Sequence, residues 1–372
     1  MNIIFLCKRQ YTGKDVINDQ YGRMYEIPFE LSRQNIDVTC FSLSYRKEGY
    51  SSKRINPHLH WTSIDIGIYQ PHGIFKIINK ILDHVRSSKP DIIVAASDVI
   101  HLGIGSYISK KTGIPLVSDL YDNFESYGLT KLPFMQSIYR NALKASSAVT
   151  CVSQPLSKYI QQYCNADCEI ITIENAVNHA VFKPLSKIDS RKILSLPEDG
   201  ILIGTAGALY DSRDISVLFS AYKLLQIEKP DIHLVLAGRS SSKMPIPDHA
   251  NVHYLGELEH SDVAYFYNAL DLAIVPLTNS EFGKYCFPQK ACEILACRRP
   301  VVASSVGVMK DLLKDYPECL FEEGNATMLA ERILKQLNRA VVPDIIVPDW
   351  SDQAKIIVKL LLKIYNAGHE QR

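Results

Sequence analysis

The stretch Phe287-Pro288-Gln289-Lys290-Ala291-Cys292-Glu293-Ile294-Leu295-Ala296-Cys297-Arg298-Arg299-Pro300-Val301-Val302 decides how this chain is read. It puts a cation, Lys290, and an anion, Glu293, near the start of an expected helix. That helix ends at a basic pair and Pro300, then runs directly into a buried strand, Val301–Ser304. A helix N-terminus presents unpaired N–H groups and a positive dipole end, which suits a phosphate. A carboxylate one turn further in accepts hydrogen bonds from sugar hydroxyls. Together they could hold the two ends of a nucleotide diphosphate. The same spacing also fits a solvated i,i+3 pair contributing only about 0.2–0.5 kcal/mol.

Working outward, the chain alternates short apolar runs with amphipathic segments. Strands are expected at 2–7, 37–43, 91–96, 114–120 and 148–152, with helices at 21–34 and 75–86 and a Gly-rich helix start at 102–110. The second half repeats the plan, with strands at 201–204, 232–237, 252–255, 272–276 and 300–303 and a helix at 214–226. All-apolar strands alternating with helices predict parallel sheets covered on both faces. The pattern breaks near 182–197, where Pro184, a Lys/Ser/Asp-rich run and Pro197 intervene. Two domains are therefore expected, 1–185 and 186–351, with a last helix in the tail 352–372.

Composition narrows the function classes. The 372 residues are 47% hydrophobic and 22% charged, with a net charge of +1. That is ordinary for a globular enzyme, and no global field argues for nucleic acid. The nine cysteines are scattered, without C-x-x-C pairs of a zinc site, so free thiols are expected. No apolar run is long enough to span a bilayer, and the order of apolar then basic residues at the start is reversed for a signal peptide. A cytoplasmic protein is expected. The segments 75–89 and 131–144 are basic and partly apolar, which leaves a peripheral contact at the inner membrane face open beside the plain reading of packed helices.

The quoted stretch resembles the nucleotide-sugar site of retaining glycosyltransferases of family 4, one branch of which reads F-P-x-K-x-x-E-x-L-A-x-G-x-P-V-V. Further segments resemble the family in order: Ser118-Asp119-Leu120-Tyr121-Asp122, Ala148 to Ser153, Glu174-Asn175-Ala176-Val177-Asn178 through Pro184, and Ile203-Gly204-Thr205-Ala206-Gly207-Ala208-Leu209. The resemblance covers nearly the whole chain. It implies an α/β GT-B fold, two Rossmann-like doubly wound domains facing a central cleft, with the last helix returning to the first domain. It implies a hexosyltransferase-like, retaining, metal-independent enzyme. Such an enzyme moves a sugar from a nucleotide-diphosphate donor to a glycan, lipid-linked or small-molecule acceptor. No cofactor, no metal and no nucleic-acid partner are implied.

Residue by residue, the resemblance implies that Glu293 binds the ribose hydroxyls, and that Lys290 with the backbone of Cys286 and Phe287 faces the diphosphate. Gly207 precedes the family's phosphate-binding Arg position, which is Ala208 here; the family's Lys position is Arg213. Gly256 belongs to the base-recognition segment 254–258, and Gly238–Arg239 could line the same pocket. In the first domain, Gly22 would let backbone approach a ligand, and Arg23 could meet a phosphorylated acceptor or solvent. Asp122 stands either at the reaction centre, with Arg213 and Lys290 as leaving-group stabilisers, or as a helix cap with Asn123. Pro288 fits the first helical position, N1. The first acidic residue of the commoner family pattern falls at Tyr285, with Glu281 nearby but out of register. Ala208 and Tyr285 keep a second reading in view, a non-catalytic nucleotide-sugar-binding subunit. A GT-B-shaped UDP-sugar epimerase is a third reading, and it needs a cleft of acidic and histidine acid/base residues that the sequence does not display.

Overall fold

The computed structural model describes residues 1–11, 13–46, 48–66, 72–126, 128–165 and 167–370. The chain forms two units, Met1–Glu174 with Trp350–Arg372, and Asn175–Asp349. The division falls eleven residues before the expected 185/186 break, and the reason is local. Asn175 Nδ2 donates to the Phe287 carbonyl, Gln289 Nε2 to the Ala176 carbonyl and Val177 N to the Pro348 carbonyl, so the segment after Glu174 is already fastened to the second unit.

The first unit is built on an eight-stranded sheet in the spatial order Glu169–Thr172, Ala148–Cys151, Leu116–Leu120, Ile92–Ala96, Asn2–Lys8, Asp37–Ser44, Leu59–Asp65 and Ser51–Asn56. Seven strands run parallel, and their inner members carry unbroken buried runs such as Ile3 to Cys7 and Ile92 to Ala96. That is what a sheet covered on both faces demands. The exception is Ser51–Asn56, which pairs antiparallel with Leu59–Asp65 at the edge. It is polar and exposed, with Lys53 and Arg54 facing water, a common way of blunting an open edge. The helix Val99–Thr112 begins three residues before the expected start, because the Asp98 carboxylate caps it by accepting from Ile100 N at 3.0 Å. The helix Trp350–Glu370 packs against the helix Arg23–Arg33, and Lys363 pairs with Glu169 at 2.8 Å.

The second unit is a six-stranded, all-parallel sheet in the order Val252–Tyr254, Ile232–Ala237, Ile201–Ala206, Leu272–Val275, Val301–Ser304 and Leu320–Phe321. The helices Ile215–Glu228 and Ala326–Asn338 cover one face around Leu218, Leu225, Leu329 and Ile333. In each sheet the first strand in the chain lies centrally, and strand order reverses beside it. Ligands of open α/β sheets bind beyond the carboxyl ends at such a reversal.

Arg23 is not on the surface. Its guanidinium is fully buried and forks onto Asp119, with Nη2 donating to Oδ1 at 2.6 Å and Nε to Oδ2 at 3.1 Å; Nη1 donates to the Ile173 carbonyl at 2.5 Å. Thr150 Oγ1 donates to Asp119 Oδ1 at 2.5 Å. The Arg23–Asp119 pair thus joins the start of the helix to three neighbouring strand ends, so Arg23 acts structurally rather than as an acceptor contact. Replacing Asp119 by Ala leaves a buried guanidinium uncompensated and should lower unfolding free energy by about 3–5 kcal/mol in urea denaturation. A loss below about 1 kcal/mol would mean that the guanidinium finds water and that the pair does not hold these elements.

Candidate functional site

In the second unit the carboxyl ends of three adjacent strands are drawn together by glycine. Gly207 follows Ile201–Ala206, Gly238 follows Ile232–Ala237 and Gly256 follows Val252–Tyr254, all with positive φ. Gly207 N donates to the Ala237 carbonyl at 2.9 Å, and Gly238 N to the Gly256 carbonyl at 2.6 Å. A Cβ on Gly238 would overlap the Gly207 carbonyl, so no other residue allows this approach. Tyr254 closes the row by donating its hydroxyl to the Gly238 carbonyl at 2.8 Å.

Lys290 lies over this strand end. It is the second residue of the helix Gln289–Ala296, and its Nζ donates to Thr205 Oγ1 at 3.2 Å. A Cβ built on Gly207 would stand 3.5 Å from that Nζ, so the open space above Gly207 is lined by the ammonium. Burial, followed by the like charge of Arg213, pushes the Lys290 pKa down to about 8, and Glu293 and Cys286 oppose the fall. Glu293, one turn further along, is buried. Desolvation pushes its carboxyl up to about 7, while Lys290 and hydrogen bonds from Tyr267 and Gln289 hold it from rising further. The helix therefore carries a cation that readily loses its proton and a carboxylate that readily keeps one.

Arg213 comes from the turn Asp211–Arg213. Its guanidinium stacks over the Phe282 ring at 3.7 Å instead of pairing with Asp211, whose Oδ1 accepts from Ser216 Oγ at 2.7 Å. A stacked guanidinium keeps its edge donors available for an anion. Pro288 is the N-cap of the helix rather than its first residue, with φ −64° and ψ 117°. No side chain caps that end, so the first-turn N–H groups lack the acceptor a Ser or Asp would supply. The helix entry is pinned from outside by Asn175 on the Phe287 carbonyl and Gln289 on Ala176, and Cys292 Sγ reaches the Asn175 carbonyl at 3.5 Å. Cys286 and Phe287 are both buried in this entry turn. Arg239 pairs with Glu257 at 2.8 Å and Glu281 with Lys284 at 2.7 Å, so these charges are matched at the surface.

In the first unit, Gly22 and Asp122 border one cluster. Gly22, with φ +73°, caps the helix Arg23–Arg33 against the Tyr11 ring, where a Cβ would come within 2.7 Å of Cε1. Tyr11 meets the Tyr121 ring edge-on at 5.1 Å. Lys8 Nζ donates to the Tyr121 hydroxyl and lies 4.9 Å from that ring. Burial pulls the Lys8 pKa down, and Asp98 and Asp122 hold it up. Burial also raises the Asp98 carboxyl, but His101, Lys8 and Tyr45 together leave it well below the usual carboxylate range. Asp122 thus feels a cation and also serves the turn, its Oδ1 accepting from Asn123 N at 3.2 Å, while Asn123 Oδ1 accepts from Glu125 N at 3.3 Å.

The site residues expected from sequence therefore fall into two groups. Gly207, Arg213, Gly256, Cys286, Phe287, Lys290 and Glu293 gather at the carboxyl end of the second sheet. Gly22 and Asp122 gather at that of the first. Sequence reasoning missed Thr205, Phe282, Lys8 and Asp98. The available signal was position, since Thr205, Lys8 and Asp98 all lie at or just beyond carboxyl ends of central strands.

Comparison with known proteins is consistent with this arrangement. Residues 23–181 match the model described as Glycosyltransferase Family 4, and residues 200–339 the model described as Glycosyl transferases group 1. The chain is 24% identical over 228 residues to the putative teichuronic acid biosynthesis glycosyltransferase TuaH of Bacillus subtilis, covering 55% of this chain and 56% of that protein. It is 31% identical over 159 residues to a D-inositol 3-phosphate glycosyltransferase of Mycolicibacterium gilvum, covering 39% and 34%. The matched stretches thus span about a third to just over half of these two relatives. Sucrose-phosphate synthase from Thermosynechococcus elongatus superposes with a TM-score of 0.72 at 17% identity, covering 100% of this chain and 98% of that one. Anabaena Alr3699/HepE, solved with UDP-glucose, gives 0.68 at 16% identity, covering 100% and 99%. These likenesses establish the GT-B type fold.

Two measurements follow from the geometry. Gly238→Ala should cost more than about 3 kcal/mol of stability, while Gly256→Ala, which meets open space, should cost only the positive-φ strain of about 1–2 kcal/mol. Equal losses would refute the close approach at Gly238. The raised Glu293 carboxyl also carries a pH signature. The unfolded chain loses this proton near 4.5 and the folded protein near 7, so stability contributed here falls as pH rises between them and is level above. Wild type should therefore lose stability relative to Glu293→Gln across that window, by an amount on the order of 3 kcal/mol at most. Parallel curves would show an unshifted carboxyl.

Proposed function

From a chain that carries a Glycosyltransferase Family 4 domain ahead of a Glycosyl transferases group 1 domain, we propose a retaining glycosyltransferase that takes its sugar from a nucleotide-diphosphate donor. The observation that carries the proposal is the joint placement of Lys290, Arg213 and buried Glu293 at the reversal point of the second sheet. Lys290, the guanidinium edge of Arg213 and the uncapped helix entry at Pro288 supply positive potential for a diphosphate. Glu293 supplies acceptor oxygens for ribose hydroxyls. The glycine row at 207, 238 and 256 lets backbone groups meet a flat base. UDP is our first choice of nucleotide, because structures of the same fold are described as UDP and UDP-glucose complexes.

In the proposed reaction the bond between the sugar's anomeric carbon and the terminal phosphate oxygen breaks. The acceptor hydroxyl oxygen bonds to the same carbon from the same face, and its proton passes to the leaving phosphate. Lys290 and Arg213 stabilise the charge that develops on that phosphate, which is electrostatic catalysis by groups already in place. Asp122, beside Lys8 in the first unit, is assigned to the acceptor hydroxyl. The acceptor is proposed to be a glycan or a lipid-linked sugar, in keeping with relatives described as putative teichuronic acid biosynthesis glycosyltransferases. Ala208, standing where the family carries Arg, favours one competitor, a binding subunit without turnover.

The test is binding and nucleotide release with UDP-, GDP-, ADP- and dTDP-sugars. One nucleotide should stabilise the protein selectively and be released slowly. Glu293→Ala should abolish both effects. Arg213→Ala should weaken binding roughly 10- to 150-fold, the equivalent of one charge-assisted hydrogen bond. Stabilisation without release in the presence of acceptors would favour the binding subunit; no response would refute the donor site. Donor affinity should also depend on pH. Lys290 must hold its proton, so affinity should fall roughly tenfold per unit above about 8, and Lys290→Arg should move that limb beyond 10. An unmoved limb would assign the titration to another group.

A further inference from the structure

The apolar face of the first unit's segment 128–144 is exposed rather than buried. Leu129 and Leu132 precede the helix Pro133–Lys144, and Phe134 and Ile138 follow one turn apart on it. Phe134 is 58% exposed, Leu129 49%, Leu132 44% and Ile138 40%, whereas Tyr139, Ala142 and Leu143 further along the same helix are completely buried. The neighbouring helix Val99–Thr112 continues the patch. A Cβ on its Gly103 would touch Ile138 Cγ2 at 2.9 Å, and one turn on stands Tyr107, 49% exposed. Four large exposed aliphatic or aromatic side chains within residues 129–138, with a fifth on the neighbouring helix, go beyond the scattered exposed residues that any surface carries.

The two segments that carry the patch hold charge of one sign. Segments 99–112 and 128–144 contain Lys110, Lys111, Lys131, Arg140 and Lys144 and no Asp or Glu. All four lysines are exposed, Lys111 leaning over the Tyr107 ring at 5.7 Å, and Arg140 is matched by Glu125. Apolar side chains flanked by lysines suit an anionic bilayer surface, where the first enter the acyl boundary and the second meet phosphates. A nucleic acid would leave Leu129, Leu132 and Ile138 without a role. The other basic amphipathic helix, His72–Ser88, exposes one aromatic, Phe75, without a cluster of exposed apolar neighbours on the helix. Its Ile77, Ile81 and Leu82 are in the core and its Lys80 is engaged by Tyr50. Among the described residues no helix is long and apolar enough to cross a membrane.

We propose that the face formed by Tyr107, Leu129, Leu132, Phe134 and Ile138 with Lys110, Lys111 and Lys131 docks this protein on an anionic lipid surface. The proposal is independent of the donor site, which belongs to the other unit, so either can fail alone.

The experiment is co-sedimentation of the full chain with vesicles of phosphatidylcholine containing 30 mol% phosphatidylglycerol, against pure phosphatidylcholine. The intact protein should sediment with the anionic vesicles and stay in solution with the neutral ones. Lys110→Glu/Lys111→Glu/Lys131→Glu should lower partitioning by about 100-fold or more. Leu132→Asp/Phe134→Asp should abolish it, although no charge on the lysines changes. Both variants alter exposed positions and should keep wild-type thermal stability and nucleotide response. No sedimentation of intact protein, or equal sedimentation of the variants, would overturn the proposal. So would a dimer in solution that Leu132→Asp/Phe134→Asp dissociates, since the patch would then be covered by a second copy.

Discussion

Lys290 is a cation whose hydrogen-bond partner is a hydroxyl, and the second unit's site is organised by that fact. Burial makes the ammonium less comfortable, and the like charge of Arg213 adds to the discomfort; Glu293, one turn away, and Cys286 offset part of it. A group in such surroundings lowers its energy either by losing a proton or by gaining an anion. The fold cannot relax the arrangement by moving Lys290 away. Asn175 and Gln289 fasten the helix entry, the glycine row fixes the strand ends beneath it, and the Phe282 ring holds Arg213 in place. Positive potential is thus set before a ligand arrives. That is the condition under which charge stabilisation costs no reorganisation at the moment of reaction.

The same constraint explains why the backbone, rather than side chains, forms the rest of the site. A ligand held by Lys290 would lie over Gly207, where a side chain would occupy the space facing the ammonium. Gly238 then has to approach Gly207 so closely that a Cβ is sterically excluded. Three successive strands consequently run into a glycine within two residues of their ends, at Gly207, Gly238 and Gly256. Ala208 fits this pattern as well, since a small residue next to Gly207 leaves the cation count to Arg213 and Lys290.

What was legible in the sequence was what depends on local pattern. The inner strands could be read because burial on both faces makes them continuously apolar, as in Ile92–Ala96 and Val301–Ser304. The strand Ser51–Asn56 could not, because an edge strand has no buried run to display. Lys290 and Glu293 were visible because one helical turn separates them. Arg23 looked like a surface arginine at a helix start; its partner Asp119 lies 96 residues away, and no spacing rule connects them. Lys8 was hidden for the same reason, its hydroxyl partner being 113 residues distant. The unit boundary was misplaced because the proline-rich interruption after Phe182 is conspicuous, whereas the hydrogen bonds that attach Asn175 and Ala176 to the second unit leave no trace in composition.

The two sheets place a lysine at equivalent points, each at the carboxyl end of the central first strand, yet the surroundings give the two cations opposite uses. Lys8 is balanced by Asp98 and Asp122 and donates to a tyrosine hydroxyl, so its neighbourhood carries little spare positive charge. Bringing a diphosphate there would set it against two carboxylates at close range, and like charges in a half-buried setting repel by several kcal/mol, roughly 4 at 4 Å separation. Lys290 has an arginine for its neighbour instead, and its one nearby carboxylate is itself reluctant to ionise. These surroundings favour the proposed assignment of the anionic ligand to the second unit. In the same proposal the first unit receives a ligand that offers hydroxyls, with Asp122 as its partner, since the Asp98 carboxylate is already engaged by Ile100, His101 and Tyr45.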